Sequence, residues 1–165
     1  MTEPNGPRVR TDLIDVYLFR QFGPGDAQFL QMRRSAAAAV APLMWHPVMG
    51  RIESDETAIE AAMREVQEEV GLRITEALGF WQLEQIHPFY LAERDEIFLS
   101  PRFAVQVDGR WSPILNEEHE EYRWTALDRV PHDFVWPGQK AAIQEIMSEI
   151  AGVEATGRDT LRIRI

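Results

Sequence analysis

The spacing of apolar side chains changes period several times along this sequence, and each change marks an element. In residues 12–21 (DLIDVYLFRQ), Ile14, Val16 and Leu18 fall at every second position, which predicts a strand. The cluster Phe22-Gly23-Pro24-Gly25-Asp26 predicts a turn and residues 28–33 a returning strand, so the two form a hairpin. Residues 35–40 are alanine-rich and read as a loop or a short helical turn. Residues 42–49, with Pro42 and Pro47, read as extended chain. The period then lengthens. Thr57 and Glu60 form a capping box, and Ile59, Ala62, Met63, Val66 and Val70 share one face of an amphipathic helix. Gly71 supplies the left-handed C-cap, with Leu72 as the apolar residue after it.

Further strands are predicted over residues 79–86, 96–107 and 121–125, with Asp108-Gly109 as a turn signal between the last two. Trp136-Pro137-Gly138 opens a second helix reaching Ile150, whose apolar positions Ala142, Ile143, Ile146, Met147 and Ile150 keep helical spacing. Leu161, Ile163 and Ile165 alternate with Arg162 and Arg164, which predicts an edge strand or a partner contact. Residues 1–11 read as a flexible tail. No repeat or long linker divides the 165 residues, so one domain is expected.

Composition narrows the class. Hydrophobic residues at 45% and charged residues at 27% are globular values, which disfavours disorder and coiled coil. The absence of cysteine excludes a disulfide framework, a thiolate zinc site and a cysteine nucleophile. The longest apolar stretch, residues 36–45, is interrupted by Pro42 and is half the length of about 20 that a membrane span needs. The N-terminus lacks the layout of a secretory signal, so the cytoplasm is the expected location. A net charge of −10 argues against a nucleic-acid partner.

That charge is local. Residues 53–69 hold seven acids against the single base Arg64, and residues 117–121 hold four acids and no base, while the rest of the chain is neutral. Two dense clusters suggest that a cation is held, with both segments contributing. On the first helix Glu65 and Glu69 stand four apart beside the apolar stripe, whereas Glu68 points away from it. Like charges at that spacing repel, more strongly where the dielectric falls. By spacing alone, a solvated acidic face remains open as a reading. A site of hard oxygen ligands suits Mg²⁺ or Mn²⁺.

Reading outward, Gly50, five residues, Glu56, seven residues, then Arg64-Glu65-Val66-Gln67-Glu68-Glu69-Val70-Gly71-Leu72 resembles the Nudix box, G-x5-E-x7-R-E-U-x-E-E-x-G-U with U aliphatic. Every specified position matches. The chain is thus identified as resembling the Nudix hydrolases, which implies an α/β fold, an α/β/α sandwich with a mixed central sheet. Two positions depart from a pattern common in the family, Met49 and Asp55, where many members carry glycine. The resemblance implies Mg²⁺ or Mn²⁺ ligation by Glu65 and Glu69, with help from Glu68 and the Met49 carbonyl. It implies a structural pair between Glu56 and Arg64.

A shorter likeness, Glu118-His119-x-x-Tyr122-x-Trp124 with Trp136 and Gln139, is similar to the dATP and dihydroneopterin triphosphate pyrophosphohydrolase branch. It implies Glu118 as a distal ligand or base, while His119 reads as a satisfied strand-edge histidine. Arg33 and Arg34, ending the second strand, are candidates to face phosphate or plain edge charges, with Arg33 chosen for phosphate. Of Trp45, Trp81, Phe134 and Trp136, most of them expected in the core, Trp45 and Trp136 are chosen to stack on a base. The reaction so implied is hydrolysis of a nucleoside triphosphate or a similar nucleoside diphosphate compound to monophosphate and pyrophosphate, with Glu65 or Glu118 taking the proton. The partner is then a small nucleotide, with no nucleic acid and no membrane, and a homodimer is left open. Pro88 and Tyr90, 16 and 18 residues past Leu72, match markers of ADP-ribose and dinucleoside polyphosphate hydrolases, so those substrates stay open. The reading from another class is a non-catalytic nucleotide-binding module, which the full set of box carboxylates disfavours.

Overall fold

A computed structural model describes residues 6–165 of the chain. Its strands are β1 (Arg8–Arg10), β2 (Leu13–Gly23), β3 (Asp26–Arg34), β4 (Trp45–His46), β5 (Val48–Arg51), β6 (Gly79–Gln82), β7 (His87–Leu91), β8 (Glu96–Ser100), β9 (Arg102–Val107) and β10 (His119–Ala126). The α-helices are α1 (Ala58–Val70), α2 (Val130–Asp133) and α3 (Pro137–Ile146). No described helix is long and apolar enough to cross a membrane.

β2 organises the sheet because both of its faces are apolar. Ile14, Val16 and Leu18 pack with α1 through Ala61, Ala62, Val66 and Val70. Tyr17 and Phe19 point the other way and pack with α3 through Ala142, Ile143 and Ile146. A strand buried on two sides reads as a nearly continuous hydrophobic run, as residues 16–19 do. The main sheet runs β10-β3-β2-β9-β6, with β4 on β3 and β5 on β2. It is mixed: β2 pairs parallel with β9 and antiparallel with β3 and β5. The expected α/β/α sandwich with a mixed central sheet is therefore the fold found.

α1 carries the predicted capping box, Thr57 and Glu60 serving each other's backbone, and ends on Gly71 in the left-handed region at φ 73. Its buried stripe differs from expectation, Ala61 being buried and Met63 only half-buried. Ile59 is exposed, and Glu69 takes a place among the buried residues beside Val66 and Val70.

Several boundaries are corrected. The strand expected over residues 96–107 is two, β8 and β9, parted at Pro101, and β8 joins β1 and β7 in a separate three-stranded sheet. Residues 79–86 hold only β6, and β7 follows it. The tail expected over residues 1–11 contains β1, which pairs parallel with β8 while Arg8 and Arg10 each reach Glu96 Oε1 at 3.0 Å. The first five residues of that expectation lie outside the described part. α3 passes at Met147 into a π-helical turn, Met147–Ala151. Residues 161–163 run along the open edge of β6, Gln82 N–H donating to Leu161 O and Ile163 N–H to Phe80 O, but they form a single bridge between Arg162 and Trp81 rather than the expected strand.

Candidate metal centre

The segments that bear the box meet where β5 leads into α1. Gly50 on β5 faces Glu65 so closely that a Cβ there would lie 2.0 Å from the Glu65 carboxyl carbon. A glycine lets the Glu65 carboxyl lie against the strand, in the space a side chain would take. At Asp55 the backbone is left-handed, φ 69, which explains why glycine suits that position and why aspartate, tolerant of this region, can replace it.

Arg64 holds the loop on the helix. Its Nη2 and Nε donate to Glu56 at 2.6 and 3.1 Å, and Nη2 also donates to Arg51 O at 2.8 Å. The Glu56 hydrogen bonds raise the Arg64 pKa and lower that of Glu56. The expected structural pair is present. Arg64 Nη1 also reaches Glu65 Oε1 at 2.8 Å and the exposed Glu68 at 3.2 Å.

Glu69 is buried, and its Oε2 has no hydrogen-bond partner. Burial pushes its carboxyl well above the usual range, and the charges of Glu65 and Glu118 add to this, while Arg34 and the Met49 backbone oppose it. Glu65 is raised in the same way, by burial first, against its hydrogen bond to Arg64. Glu118, 49 residues beyond Glu69, adds its charge at both helix acids, and Asn116 N–H donates to Glu69 O at 3.4 Å, so the segment ahead of β10 lies against the end of α1. Among the described residues no three carboxylate or imidazole groups stand at ligand distance from one another. Glu65 Oε1 is drawn onto Arg64, and Glu118 stands in solvent. The residues nonetheless fit a hard divalent cation: an orphaned buried carboxylate oxygen, mutually repelling acids and an oxygen donor set.

Alternation along β3 sorts the arginines. Met32 packs on the α1 side, so Arg33 points to the α3 side and Arg34 returns to the acids. Arg33 meets Glu120 at 2.5 Å and Glu121 at 3.5 Å, and its ring neighbour Trp45 is covered by the Arg123 guanidinium at 4.1 Å. The geometry does not bring Arg33 and Trp45 to the carboxylates. Trp136 stands exposed just ahead of α3. Pro88 and Tyr90 are exposed on β7, with Tyr90 Oη donating to Asp95.

Sequence reasoning missed His46 and Asn116. His119 is buried and satisfied, as expected, yet it lies at the site: its Nε2 is 4.0 Å from Glu69 Oε2 and 3.1 Å from His46 Nε2. Burial, with Arg34 nearby, holds His46 down to about 3 and His119 down to about 4, so both rings are neutral at pH 7. The two histidines are 73 residues apart, and no local pattern joins them.

An acidic helix on one face of a mixed sheet, turning carboxylates toward a glycine-bearing strand, defines a class of α/β/α proteins. The NUDIX domain profile matches residues 11–146, and the chain belongs to the Nudix family. It is 31% identical over 131 residues to an octanoyltransferase of Myxococcus xanthus, a match covering 76% of this chain and 34% of that protein. The chain therefore spans about a third of that relative's length. It is 30% identical over 112 residues to the asymmetrical bis(5′-nucleosyl)-tetraphosphatase of Sus scrofa, covering 61% of this chain and 68% of that one. The E. coli dihydroneopterin triphosphate pyrophosphohydrolase superposes with a TM-score of 0.68 at 23% identity, over 85% of this chain and 95% of the other, and so shares its fold.

Proposed function

We propose that this protein is a divalent-cation-dependent hydrolase of a phosphoanhydride in a small nucleotide, releasing monophosphate and pyrophosphate from a nucleoside triphosphate. The observation that carries this reading is the buried, unpartnered Glu69 carboxylate beside Glu65, within the electrostatic reach of Glu118. Glu65, Glu69, Glu118 and the Met49 carbonyl would hold the cation, with Glu68 assisting. When bound, Mg²⁺ or Mn²⁺ neutralises diphosphate charge and acidifies water. Arg64, held by Glu56, fixes the orientation of Glu65. Arg34, on the acidic side of β3, is the arginine placed to meet phosphate. Glu65 or Glu118 accepts the proton of the attacking water.

The pig relative favours a second substrate, a dinucleoside polyphosphate. A cytoplasmic location and a small-molecule partner belong to the same proposal. The test is a product-mass screen with Mg²⁺ over nucleoside triphosphates, dihydroneopterin triphosphate, ADP-ribose and diadenosine polyphosphates. Hydrolysis of one class is expected, with kcat lowered by at least about a hundredfold in Glu69→Gln while the protein stays folded. No hydrolysis of any, or near-normal turnover by Glu69→Gln at saturating Mg²⁺, refutes it.

A further inference from the structure

Met49, Glu69 and Glu118 lie on three separate elements, and a side-chain chain joins the three. His46 Nδ1 lies 2.5 Å from Pro47 O, two residues before Met49. A carbonyl can only accept, so this nitrogen carries its proton and leaves Nε2 as an acceptor. That Nε2 meets His119 Nε2 at 3.1 Å, the rings lying 4.9 Å apart between centroids. His119 spends its one proton on His46, so its Nδ1 accepts and the NH2 end of the Asn116 amide faces it at 2.9 Å, while Asn116 N–H donates to Glu69 O at 3.4 Å in the last turn of α1. Glu118 is carried by the same segment, directly before His119.

The position of the two rings follows from register. His46 pairs with Met32 on one side of β3, and His119 pairs with Arg34 on the other. Both rings point to the α1 side and meet across β3, each almost fully buried. His119 also walls the orphaned Glu69 oxygen, its Nε2 4.0 Å away.

We propose that His46 and His119 are positioning residues, and that the chain Pro47–His46–His119–Asn116 locks the strand, helix and loop that carry the cation ligands into one geometry. This rests on the cation reading given above. His46 touches none of the glutamates, so its effect passes through His119. Partners of this kind behind metal ligands are worth about 10–100-fold in affinity.

The test is Mn²⁺ binding to the substrate-free protein, followed by electron paramagnetic resonance, alongside melting in chelator. His46→Phe keeps a ring and removes both nitrogens, and it should weaken Mn²⁺ binding by about tenfold or more. His46→Gln places an amide oxygen where Nε2 stood and should restore affinity to within about threefold, whereas His46→Asn reaches only Pro47 and should not. In the Glu69→Gln background, His46→Phe should add little further loss. Wild-type affinity in folded His46→Phe overturns the proposal, as do equal affinities for the Gln and Asn variants should the Phe variant fail to fold. A wild-type protein that takes up no Mn²⁺ overturns this proposal and the cation reading together, whereas binding by the wild type and by His46→Phe alike overturns the positioning role alone.

Discussion

Gly50 shows how one side chain, or its absence, sets a ligand. The Glu65 carboxyl fills the space of the missing Cβ, but it is the free end of a flexible side chain and can swing away. Gly50→Ala should therefore leave melting in chelator within a few degrees of wild type, while Mn²⁺ affinity and turnover fall by about tenfold or more. Normal Mn²⁺ binding by that variant would show that Glu65 need not lie against β5. Glu65, Glu69, Glu56 and Arg64 are legible from the box spacing, since all four sit within a helix and its leading loop. Arg33 is legible only as a charge: which of two adjacent arginines faces the acids depends on strand phase, and the phase follows from packing of Met32 under α1.

Among the elements, α1 and β1 stand at opposite ends of predictability. α1 is built from local signals, a capping box, a 3.6-residue stripe and a glycine cap, each of which acts within a few residues. β1 is three residues long, and what holds it is Glu96, 86 residues from Arg10. Glu96 is fully buried and receives both Arg8 and Arg10. Glu96→Ala should lower the melting temperature by roughly 5 °C through loss of charge-assisted hydrogen bonds, with Mn²⁺ affinity unchanged because the three-stranded sheet supplies none of the candidate ligands. Unchanged melting would mean that β1 is held by its backbone pairing alone.

The whole protein's stability should depend on pH and metal through its buried ionisable groups, with opposite signs. His46 and His119, held at about 3 and about 4 against 6.5 when exposed, make the unfolded chain the better proton binder in between. Their contribution rises with pH through that window and is complete above about 6.5. Glu69 is raised well above 4.5, so the folded protein is the better binder there, and stability falls as pH rises through its folded value. Above about pH 6.5 the histidine contribution is flat, and the remaining fall belongs to Glu69, Glu65 and Asp15, whose carboxyl is pushed up to about 7 by burial. Melting in chelator should thus decline as the pH rises above about 6.5, less so in Glu69→Gln, and Mg²⁺ should raise the melting temperature more at the higher pH. A flat wild-type profile, or the same slope in Glu69→Gln, would place the Glu69 proton elsewhere.

Local periodicity and the box were enough to establish the helix, the hairpin and the fold class, because capping, amphipathic spacing and loop length act between near neighbours in the chain. Tertiary structure alone decided that Glu69 is buried, that the charge of Glu118 acts on it, that Arg34 rather than Arg33 shares their side, and that His46 finds His119 across β3. These are contacts between residues tens of positions apart, created when β10 and β4 flank β3. Their consequences, from desolvation to charge repulsion, exist only where water has been excluded.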